Sequence, residues 1–600
     1  MLYAEQIKEV LDKDRWKHVN KQLIAKMMAE YMYEDMIQPE ALAESELTAY
    51  KLVVNDRKIY QFLARKRYFD SFDVRIDSVE IEEDGNRKEA VSAVEFLLDI
   101  QPLIGMSPET AGHLIKELNH TLLADVHISK DSSLSSDELI HEDYAWLEGR
   151  MTGHPWITYN KGRIGFGYDD YLAYAPEQQQ QVNLLWIGVH HNRASFQTVQ
   201  GYNYQSLIHH ELTTEEKEMF RSKLETYNVD PDHYYLMPVH EWQWKNSIIQ
   251  QFAEDLAYGY IIPLGKGKDD YLPQQSVRTF VNQSNEKKHH VKLPMSILNT
   301  LVYRGLPSER TLIAPKITEF IKGIYEQDSF LKEECRVVLP GEVASINVDH
   351  RYYDQLKQAP YQYHEMLGVI FRESIYSYLE EDEQAITLAA LIHEDAEGKP
   401  YIQSLIEHSG LTSEKWIEDL FQVVMDPLLH FLYQYGTVFS PHGQNTILVL
   451  KDCKPHRLAV KDFVDDVNIS DQPFEELRVL TDELKQVLRS EPPEGLTQFI
   501  FTGLFICHLR YLAAILDNHQ LVAETEFWEK LAHTIHRYQK KFPHLESRFQ
   551  LFDFFKPEFT KLCLNRNRMV DYGYGDGEDR PHASEYGKVT NALAHYSLEV

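Results

Sequence analysis

The chain has 600 residues, of which 43% are hydrophobic and 12% aromatic, enough for a large core divided among two to four domains or subdomains. Its 93 acidic against 61 basic residues give a net charge of −32, which argues against nonspecific binding to nucleic acid or to anionic membranes, since both need clustered cations. A site for an anionic substrate must therefore supply its own cations.

The first ~140 residues show apolar positions at three- and four-residue spacing, which predicts mostly helix. A polar patch, Ser129 to Asp143, follows as a linker or helix entry. From about Glu148 short apolar runs such as "LLWIGVH" and "HYYLMPVH" predict a strand-rich middle. Long helical patterns return from about Ile386. We therefore predict an α+β fold in three parts, 1–145, 146–385 and 386–600.

Two elements of the last part are predicted in detail. An apolar stripe beginning at Trp416 predicts a helix that ends at Gly436 as its C′ residue. The segments "NTILVL", "KDCKP" and "HRLAVKDF" then predict a β-hairpin.

The cysteines and the N-terminus indicate the compartment. The four cysteines are widely spaced with no CxxC pair, which argues against a zinc site and against a disulfide framework. The charged start "MLYAEQIKEVLDKDRW" has no apolar signal region, and we find no lipidation motif and no apolar run long enough to span a bilayer. We expect a cytoplasmic protein with no membrane partner.

The first chemistry-bearing stretch is "GHPWITYNKGRIGFG", Gly153 to Gly167. Its glycines, together with His154, Lys161 and Arg163, are suited to wrapping phosphates. Taken alone, the stretch is better explained as an aromatic-rich turn.

The second stretch is "PQQSVRTF", followed by "VKLPMSILNTLVYRG". On a strand, Ser276 and Arg278 would face one side and Thr279 the other. Lys292 begins the next apolar segment and Arg304 ends it. Hydroxyls and cations from neighbouring strands suit a polyphosphate, and surface cations at strand ends are the alternative.

The third stretch is "FSPHGQNTILVL" with the later "KDFVDDVNIS". Asn445 and Asp462 would meet across the predicted hairpin, and their hard oxygens suit Mg²⁺. His442 and Gln444 would lie on the same rim. Small-molecule kinases use a similar layout, and a turn asparagine with a solvated aspartate is the alternative.

Together these stretches resemble the IucA/IucC family, the synthetases that build siderophores without a nonribosomal peptide synthetase. The resemblance runs in order through "GHP", "YAPE", "PVHEWQW", "SVRT", "KLPMSI", "HGQN" and "KDF". Further segments, among them "GEVASINVDH", "PYQYHEMLG" and "LNRNR", resemble the type C branch, which includes the desferrioxamine, putrebactin and alcaligin synthetases.

The resemblance implies a cupped-hand fold with thumb (1–145), ATP-binding fingers (146–385) and a palm for metal and acid substrate (386–600), as a homodimer. It implies ATP, Mg²⁺ and an acyl-adenylate, with pyrophosphate leaving. Its members join the carboxylate of an N-hydroxy-N-succinyl diamine to an amine, often repeatedly and with ring closure. Alternatives are a citrate half-amide as the acid, a small-molecule kinase and a catalytically silent binding protein.

Site roles follow the matched motifs. According to the resemblance, the ATP phosphates are bound by His154, Ser276, Arg278, Thr279 and Lys292. Lys161 lies beside these residues in the ATP-binding set. The resemblance assigns Mg²⁺ to Asn445 and Asp462, with Gln444 on the nucleotide, and the acid to Arg304, His442 and Lys561. Arg304, His442 and Lys292 would be catalytic. Ser440 and Lys461 stand where many relatives carry Glu and Arg, which also fits the type C branch.

Overall fold

The computed structural model describes residues 4–43, 45–131 and 134–597. In the N-terminal part, the helices are Ala4–Val10, Lys13–Tyr33, Ala93–Ile100, Pro108–Asp131, Ser136–Leu139 and Tyr144–Arg150, with a 3₁₀ turn at Ile76–Ser78. They accompany an antiparallel six-stranded sheet formed by Glu40–Ala41, Thr48–Asn55, Lys58–Lys66, Phe72–Val74, Glu80–Glu83 and Asn86–Glu89.

This sheet corrects the prediction that the first part is mostly helical. The segments "TAYKLVVN" and "KIYQFLARK" alternate between buried and more exposed residues, which is the period of a half-buried strand. Tyr50, Leu52, Tyr60 and Phe62 lie on the buried side, against the helix Lys13–Tyr33 and its neighbours. The three-residue spacing of the first helix does not extend into residues 48–66.

The central part is built on an antiparallel eight-stranded sheet. In spatial order its strands are Ser195–Thr198, Glu342–Asn347, Gly368–Arg372, His290–Lys292, Thr279–Asn282, Ile261–Pro273, Val182–His190 and Tyr234–Val239. A separate hairpin joins Met295–Asn299 to Val302–Arg304. The helices here are Tyr168–Tyr174, Tyr204–Glu211, Thr214–Glu225, Glu241–Gln243, Ile249–Gln251, Ala253–Ala257 and Ser308–Gln327, with π-helical turns at Trp244–Ile248 and Phe330–Glu334. Short 3₁₀ turns lie at Pro176–Gln178, Pro231–His233, Tyr353–Gln355, Tyr361–His364 and Ile375–Ser377.

The last part mixes helices with small sheets. Its strands are Glu383–Thr387 with Thr446–Lys451 and Lys454–Val460, then Thr437–Val438 with Asn468–Ser470 and Arg489–Glu491, then Glu558–Cys563 with Ser584–Thr590. Its helices are Tyr401–Ser409, Ser413–Tyr435, Phe463–Asp466, Asp482–Val487, Pro493–Ile500, Arg510–Asn518, Glu524–Lys541, Glu546–Leu551 and Leu564–Arg566. π-Helical segments lie at Phe501–Leu509 and Asn567–Asp571, and 3₁₀ turns at Leu388–Ile392, Glu475–Val479, Pro543–Leu545 and Ala592–Tyr596.

Both detailed predictions for this part are confirmed. The helix Ser413–Tyr435 ends at Gly436, whose φ of 56° lies in the left-handed region. A Cβ there would approach the Phe474 ring to 3.0 Å, so glycine fits for two reasons. The hairpin pairs Thr446 with Val460 and turns at Asp452 and Cys453, both with positive φ.

One helical run, Pro493–Asn518, is the single stretch among the described residues that is long and apolar enough to cross a membrane. This corrects the prediction that the chain has no such run. An 18-residue window of this run has a mean hydropathy of 1.8, but 67% of that window is buried inside the fold, where Leu496, Leu504 and Leu512 pack into the largest core. A buried core helix accounts for its composition.

Candidate active site

A cavity of about 340 Å³ opens where the eight-stranded sheet meets the C-terminal hairpin. Of the described residues that line it, eight are cationic and four are carboxylates, in a protein whose net charge is −32. The cations are Arg278, Lys292, Arg304, Arg310, Arg372, Lys461, Arg489 and Arg580, and the carboxylates are Glu148, Asp462, Asp465 and Asp466. This wall is locally positive and suits a polyanion.

Lys292 is held by the central sheet. It is the last residue of its strand, where it lies opposite Thr279 on one side and Ile370 on the other. Its buried ammonium lies 2.5 Å from Asp462 Oδ1 and 2.8 Å from Asp465 Oδ2. Burial raises the pKa of Asp462, but the charges of Lys292 and Arg372 and the hydrogen bond from Lys292 together outweigh this effect, so the net pKa lies below the ordinary value.

Ser276 and Arg278 lie in a tight turn, which corrects the prediction that they face one side of a strand. The strand begins only at Thr279, and Val277 has a φ of 67°, an outlier for a β-branched residue. The turn is fixed because the Thr279 N–H donates to Ser276 Oγ at 3.0 Å. The Arg278 guanidinium donates to the Gly305 carbonyl and lies 3.2 Å from Asp465. All three predicted side chains line the cavity.

Carboxylate and amide side chains lie close together beside Lys292. Asp462 follows the hairpin with a left-handed φ of 70°, and the Lys461 N–H donates to the Asn445 carbonyl at 3.1 Å. The Asn445 side-chain amide donates to Asp466. Burial raises the pKa of Asp466 well above its usual range, and the Asp462 charge adds to this.

The buried Glu342 indicates whether this part of the cavity wall suits a metal ion. Both carboxylate oxygens of this buried residue have no hydrogen-bond partner within residues 4–43, 45–131 and 134–597. Burial, followed by the charge of Asp462, raises the pKa of Glu342 to about 8. Crowded carboxylates with an amide oxygen are the hard donor set that Mg²⁺ takes, so these residues fit a magnesium ion.

Arg304 is presented by a strained hairpin. The turn residues Thr300 and Leu301 have φ values of 43° and 78°, and conformations of this kind often cluster at functional sites. Arg304 donates to the Asn299 and Thr300 carbonyls at 2.8 and 3.3 Å, while its buried Nε has no partner in the described parts of the chain. Burial, with Arg278 and Arg580 nearby, lowers its pKa to about 9, so it remains a cation at neutral pH.

His442 lies where this cavity meets a second one of about 630 Å³, and Arg304 and Gln444 line both as well. The Gln444 N–H donates to His442 Nδ1 at 3.3 Å, so the neutral ring carries its proton on Nε2. The pKa of His442 is lowered to about 4, chiefly by burial; Lys461 and Arg304 contribute to the lowering and Asp462 opposes it. The ring is therefore a neutral hydrogen-bond donor at neutral pH.

The second cavity has more apolar walls, with Met151, Trp156, Ile157, Leu562 and Leu564 among its lining residues. Ser440 lines it too. His154 also lies here rather than among the described residues of the cationic cavity. Its Nδ1 accepts from the Trp156 and Ile157 N–H groups, each at 3.2 Å, and burial holds its pKa well below the ordinary value.

Two predicted cations are occupied elsewhere. Lys161 Nζ lies 2.8 Å from Asp125 Oδ1, and Lys561 Nζ lies 2.6 Å from Asp35 Oδ2. Neither is among the described residues that line the two cavities. Lys561 is in a strand whose neighbour Leu562 lines the second cavity, so the alternation of the strand directs Lys561 to the other face.

Several residues of the site were missed by the sequence prediction. Asp465 pairs with both Lys292 and Arg278, and its position three residues after Asp462 in "KDFVDD" was an available signal. Arg580 donates to Glu365 and to the Gly305 carbonyl, but it lies in the acidic segment "GDGEDRPH", which offers no signal of this kind.

Comparison with known families gives two matches. Residues 143–393 match the family described as IucA / IucC, and residues 414–577 match the family described as ferric iron reductase FhuF-like transporter. The chain is also 41% identical to the rhizobactin siderophore biosynthesis protein RhbF of Rhizobium meliloti (strain 1021), over 97% of this chain and 96% of the relative.

Other relatives extend over most of the chain. A putrebactin synthase of Shewanella sp. (strain MR-4) is 34% identical over 92% of this chain and 87% of its own length. A citryl-spermidine/3,4-dihydroxybenzoyl-citryl-spermidine:spermidine ligase of Bacillus anthracis is 28% identical over 95% and 94%. Among solved structures, the petrobactin biosynthesis protein AsbB of Bacillus anthracis superposes with a TM-score of 0.89 at 27% identity, over 99% of this chain and 98% of AsbB. The predicted α+β fold is thus confirmed.

Proposed function

Because the chain belongs to the IucA/IucC family, we propose that it is an ATP-dependent siderophore synthetase that condenses a carboxylate with an amine to form an amide. The observation that carries this proposal is the cationic cavity, which joins a second, more apolar cavity at Arg304 and His442. A polyphosphate and an organic acid would then meet at these two residues.

The proposed reaction has two steps, adenylation of the acid and formation of the amide. A carboxylate oxygen attacks the α-phosphorus of ATP, and the bond to the β,γ-pyrophosphate breaks. A neutral amine then attacks the acyl carbon, AMP leaves with the electron pair, and the amine gives up a proton. The first step brings two anions together, so its barrier falls when fixed cations stabilise the developing charge.

Each side chain has a role in this scheme. Lys292 and Arg278 bind the phosphates, and Ser276 and Thr279 orient them from the turn. Arg304 binds the substrate carboxylate through Nε, which has no partner among the described residues, while its Nη2 is already bound to the backbone. His442 donates from Nε2 to the oxygens that gain charge.

Asn445 and Asp462, with Asp466 and Glu342 beside them, would hold Mg²⁺, which supplies charge neutralisation at the phosphates. Gln444 contacts the nucleotide from the shared edge of the two cavities. His154 contributes to the wall of the second cavity, which would hold the acid substrate. Lys161 and Lys561 would support the site from outside through Asp125 and Asp35.

For the acid substrate we propose the carboxylate of an N-hydroxy-N-succinyl diamine, with repeated condensation and ring closure. The putrebactin synthase relative, matched over 92% of this chain, supports this choice. A citrate half-amide is the second candidate, and the citryl-spermidine ligase relative favours it. The two acids differ in a hydroxyl and a further carboxylate, which Arg489 and His582 at the shared edge could bind.

The test combines product analysis with an isotope label. The purified chain is given ATP, Mg²⁺ and a panel of succinyl and citryl acids with diamines, and products are identified by mass spectrometry. A carboxylate labelled with ¹⁸O should transfer one label to AMP, and AMP and pyrophosphate should appear in step with amide. If the ¹⁸O label appears in inorganic phosphate and ADP is the product, the reaction is a phosphoryl transfer, as in the kinase alternative, and the adenylation proposal is wrong.

We also propose a cytoplasmic homodimer in which 1–145, 146–385 and 386–600 form thumb, fingers and palm. The largest core cluster includes Tyr33, Ile370 and Leu504, one from each segment, so the three would unfold together. Light scattering on the purified chain tests the dimer. Proteolysis that releases a stable fragment at residue 145 or 385 would contradict the shared core.

A further inference from the structure

Two histidines and a glutamate converge in the central part, outside both cavities. His210 and Glu211 end the helix Tyr204–Glu211, and His289 immediately precedes the strand His290–Lys292. One nitrogen of each ring and one carboxylate oxygen lie within 4.8 Å of one another. The side chains come from two elements 78 positions apart in the chain, so the fold brings them together.

The distances suit a tetrahedral metal ion. Glu211 Oε1 lies 2.7 Å from His289 Nδ1 and 3.8 Å from His210 Nε2. Ligands at about 2.0–2.1 Å from a tetrahedral zinc ion are roughly 3.4 Å from one another. The two distances bracket that value, so small side-chain rotations are enough to place an ion between the three groups.

A second observation points to a ligand at this place. The Glu211 side chain is fully buried, yet its Oε2 has no hydrogen-bond partner in the described segments. The neighbouring Lys288 donates to the Glu211 backbone carbonyl and pairs with Asp269 at 2.5 Å. A buried carboxylate oxygen without a partner costs free energy, which a bound cation would recover.

We propose that His210, Glu211 and His289 bind one divalent transition-metal ion of the zinc class, independently of the proposed synthetase site. Three protein ligands leave a fourth position for water, on the side where His210 is 39% exposed. The ion would fix the helix end to the strand that carries Lys292 three residues later. The sequence prediction argued against a zinc site from the absence of CxxC pairs, but that argument applies only to cysteine ligands, whereas this cluster has none.

The test is titration of the full chain with Zn²⁺ in excess Mg²⁺, followed by calorimetry, and with Co²⁺, followed by absorption. We expect one ion per chain, the visible bands of four-coordinate cobalt, and a higher Tm with Zn²⁺. Because His210 is exposed, His210→Ala should fold normally and bind Zn²⁺ at least about tenfold more weakly. His289→Ala should lose the cobalt spectrum.

His209→Ala is the matched control, since it removes an imidazole from the adjacent exposed position, where His209 contacts Lys217. It should bind the ion as the wild type does. The proposal is overturned if the wild type binds no ion, or if His210→Ala binds as tightly as His209→Ala. It is also overturned if Asp462→Asn, rather than His210→Ala, abolishes binding, because the ion would then occupy the other site.

Discussion

Lys292 Nζ lies 2.5 Å from Asp462 Oδ1, although the two residues are 170 positions apart. One belongs to the central sheet, and the other follows the C-terminal hairpin with a left-handed backbone. The pair therefore fastens the central sheet to the C-terminal hairpin, that is, the proposed phosphate-binding wall to the proposed metal-binding edge. Lys292 also balances the buried charge of Asp462, whereas Asp465 has Arg278 as a second cation.

Replacing Lys292 by methionine should destabilise the protein and abolish tight ATP binding. The change leaves Asp462 and Asp465 buried without their shared cation, which costs about 3–5 kcal/mol for a broken buried pair. The measurements are the unfolding midpoint in urea and calorimetric ATP titration. Lys287→Met, at an exposed position nearby, is the control and should change stability by less than about 0.5 kcal/mol. A Lys292→Met chain with wild-type stability would show that the carboxylates are satisfied without the lysine.

The hairpin and the helix end at Gly436 could be predicted from sequence because their determinants are local. Apolar runs on both sides of the turn "KDCKP" specify the hairpin, and Gly436 is the residue that a left-handed C′ position favours. Because the hairpin is a local structure, its prediction also brought Asn445 and Asp462 together at one edge of it. Conversely, the sheet at 40–89 was missed because a single helical period was extended too far.

Partner choice could not be predicted, because it depends on contacts between distant segments. Lys161 and Lys561 are cations in suitable motifs, yet Asp125 and Asp35 bind them. Nothing in the spacing of "GHPWITYNKG" indicates a carboxylate 36 positions earlier. The turn at Val277 could not be predicted either, because nothing in the sequence indicates that a valine has a positive φ.

Arg304→Ala should impair use of the acid while ATP binding changes little. Loss of a charged hydrogen-bonding group costs about 1.5–3 kcal/mol, so kcat/KM for the acid should fall roughly 10- to 100-fold. Arg304→Lys keeps the charge but lacks the planar fork, and it should remain impaired. The measurement is steady-state kinetics with each substrate varied in turn, with exposed Arg351→Ala as control. If only the KM for ATP rises, Arg304 binds phosphate instead.

Acid should destabilise the protein partly through His240. This buried residue caps a helix by accepting from the Trp242 N–H, and burial lowers its pKa to about 3. Between that value and the ordinary value near 6.5, the unfolded chain binds a proton that the folded one does not, so stability is lost as pH falls. His240→Asn keeps a capping acceptor without the titration.

Below about pH 6.5, the stability of His240→Asn relative to wild type should therefore improve by roughly 1.4 kcal/mol per pH unit. Urea unfolding of both proteins at about pH 7.5 and about pH 5 provides the comparison. Other titrating groups are common to the two proteins and cancel in the difference. A difference that does not change with pH would mean that His240 is protonated in the folded state.

The proposed catalytic role of His442 can be separated from its role in the turn, because its two nitrogens have different contacts. Nδ1 accepts the Gln444 N–H, and Nε2 is left to donate at the junction of the cavities. Asparagine can reproduce the first contact, whereas glutamine places an N–H near the second. A donor of this kind is worth roughly 3 kcal/mol, so His442→Asn and His442→Ala should lower kcat/KM for the acid by about a hundredfold. His442→Gln should recover part of that loss, and ATP binding should change little in all three variants. Steady-state kinetics beside melting curves decide the matter: if activity follows Tm, or if His442→Asn is as active as wild type, the histidine serves only the turn.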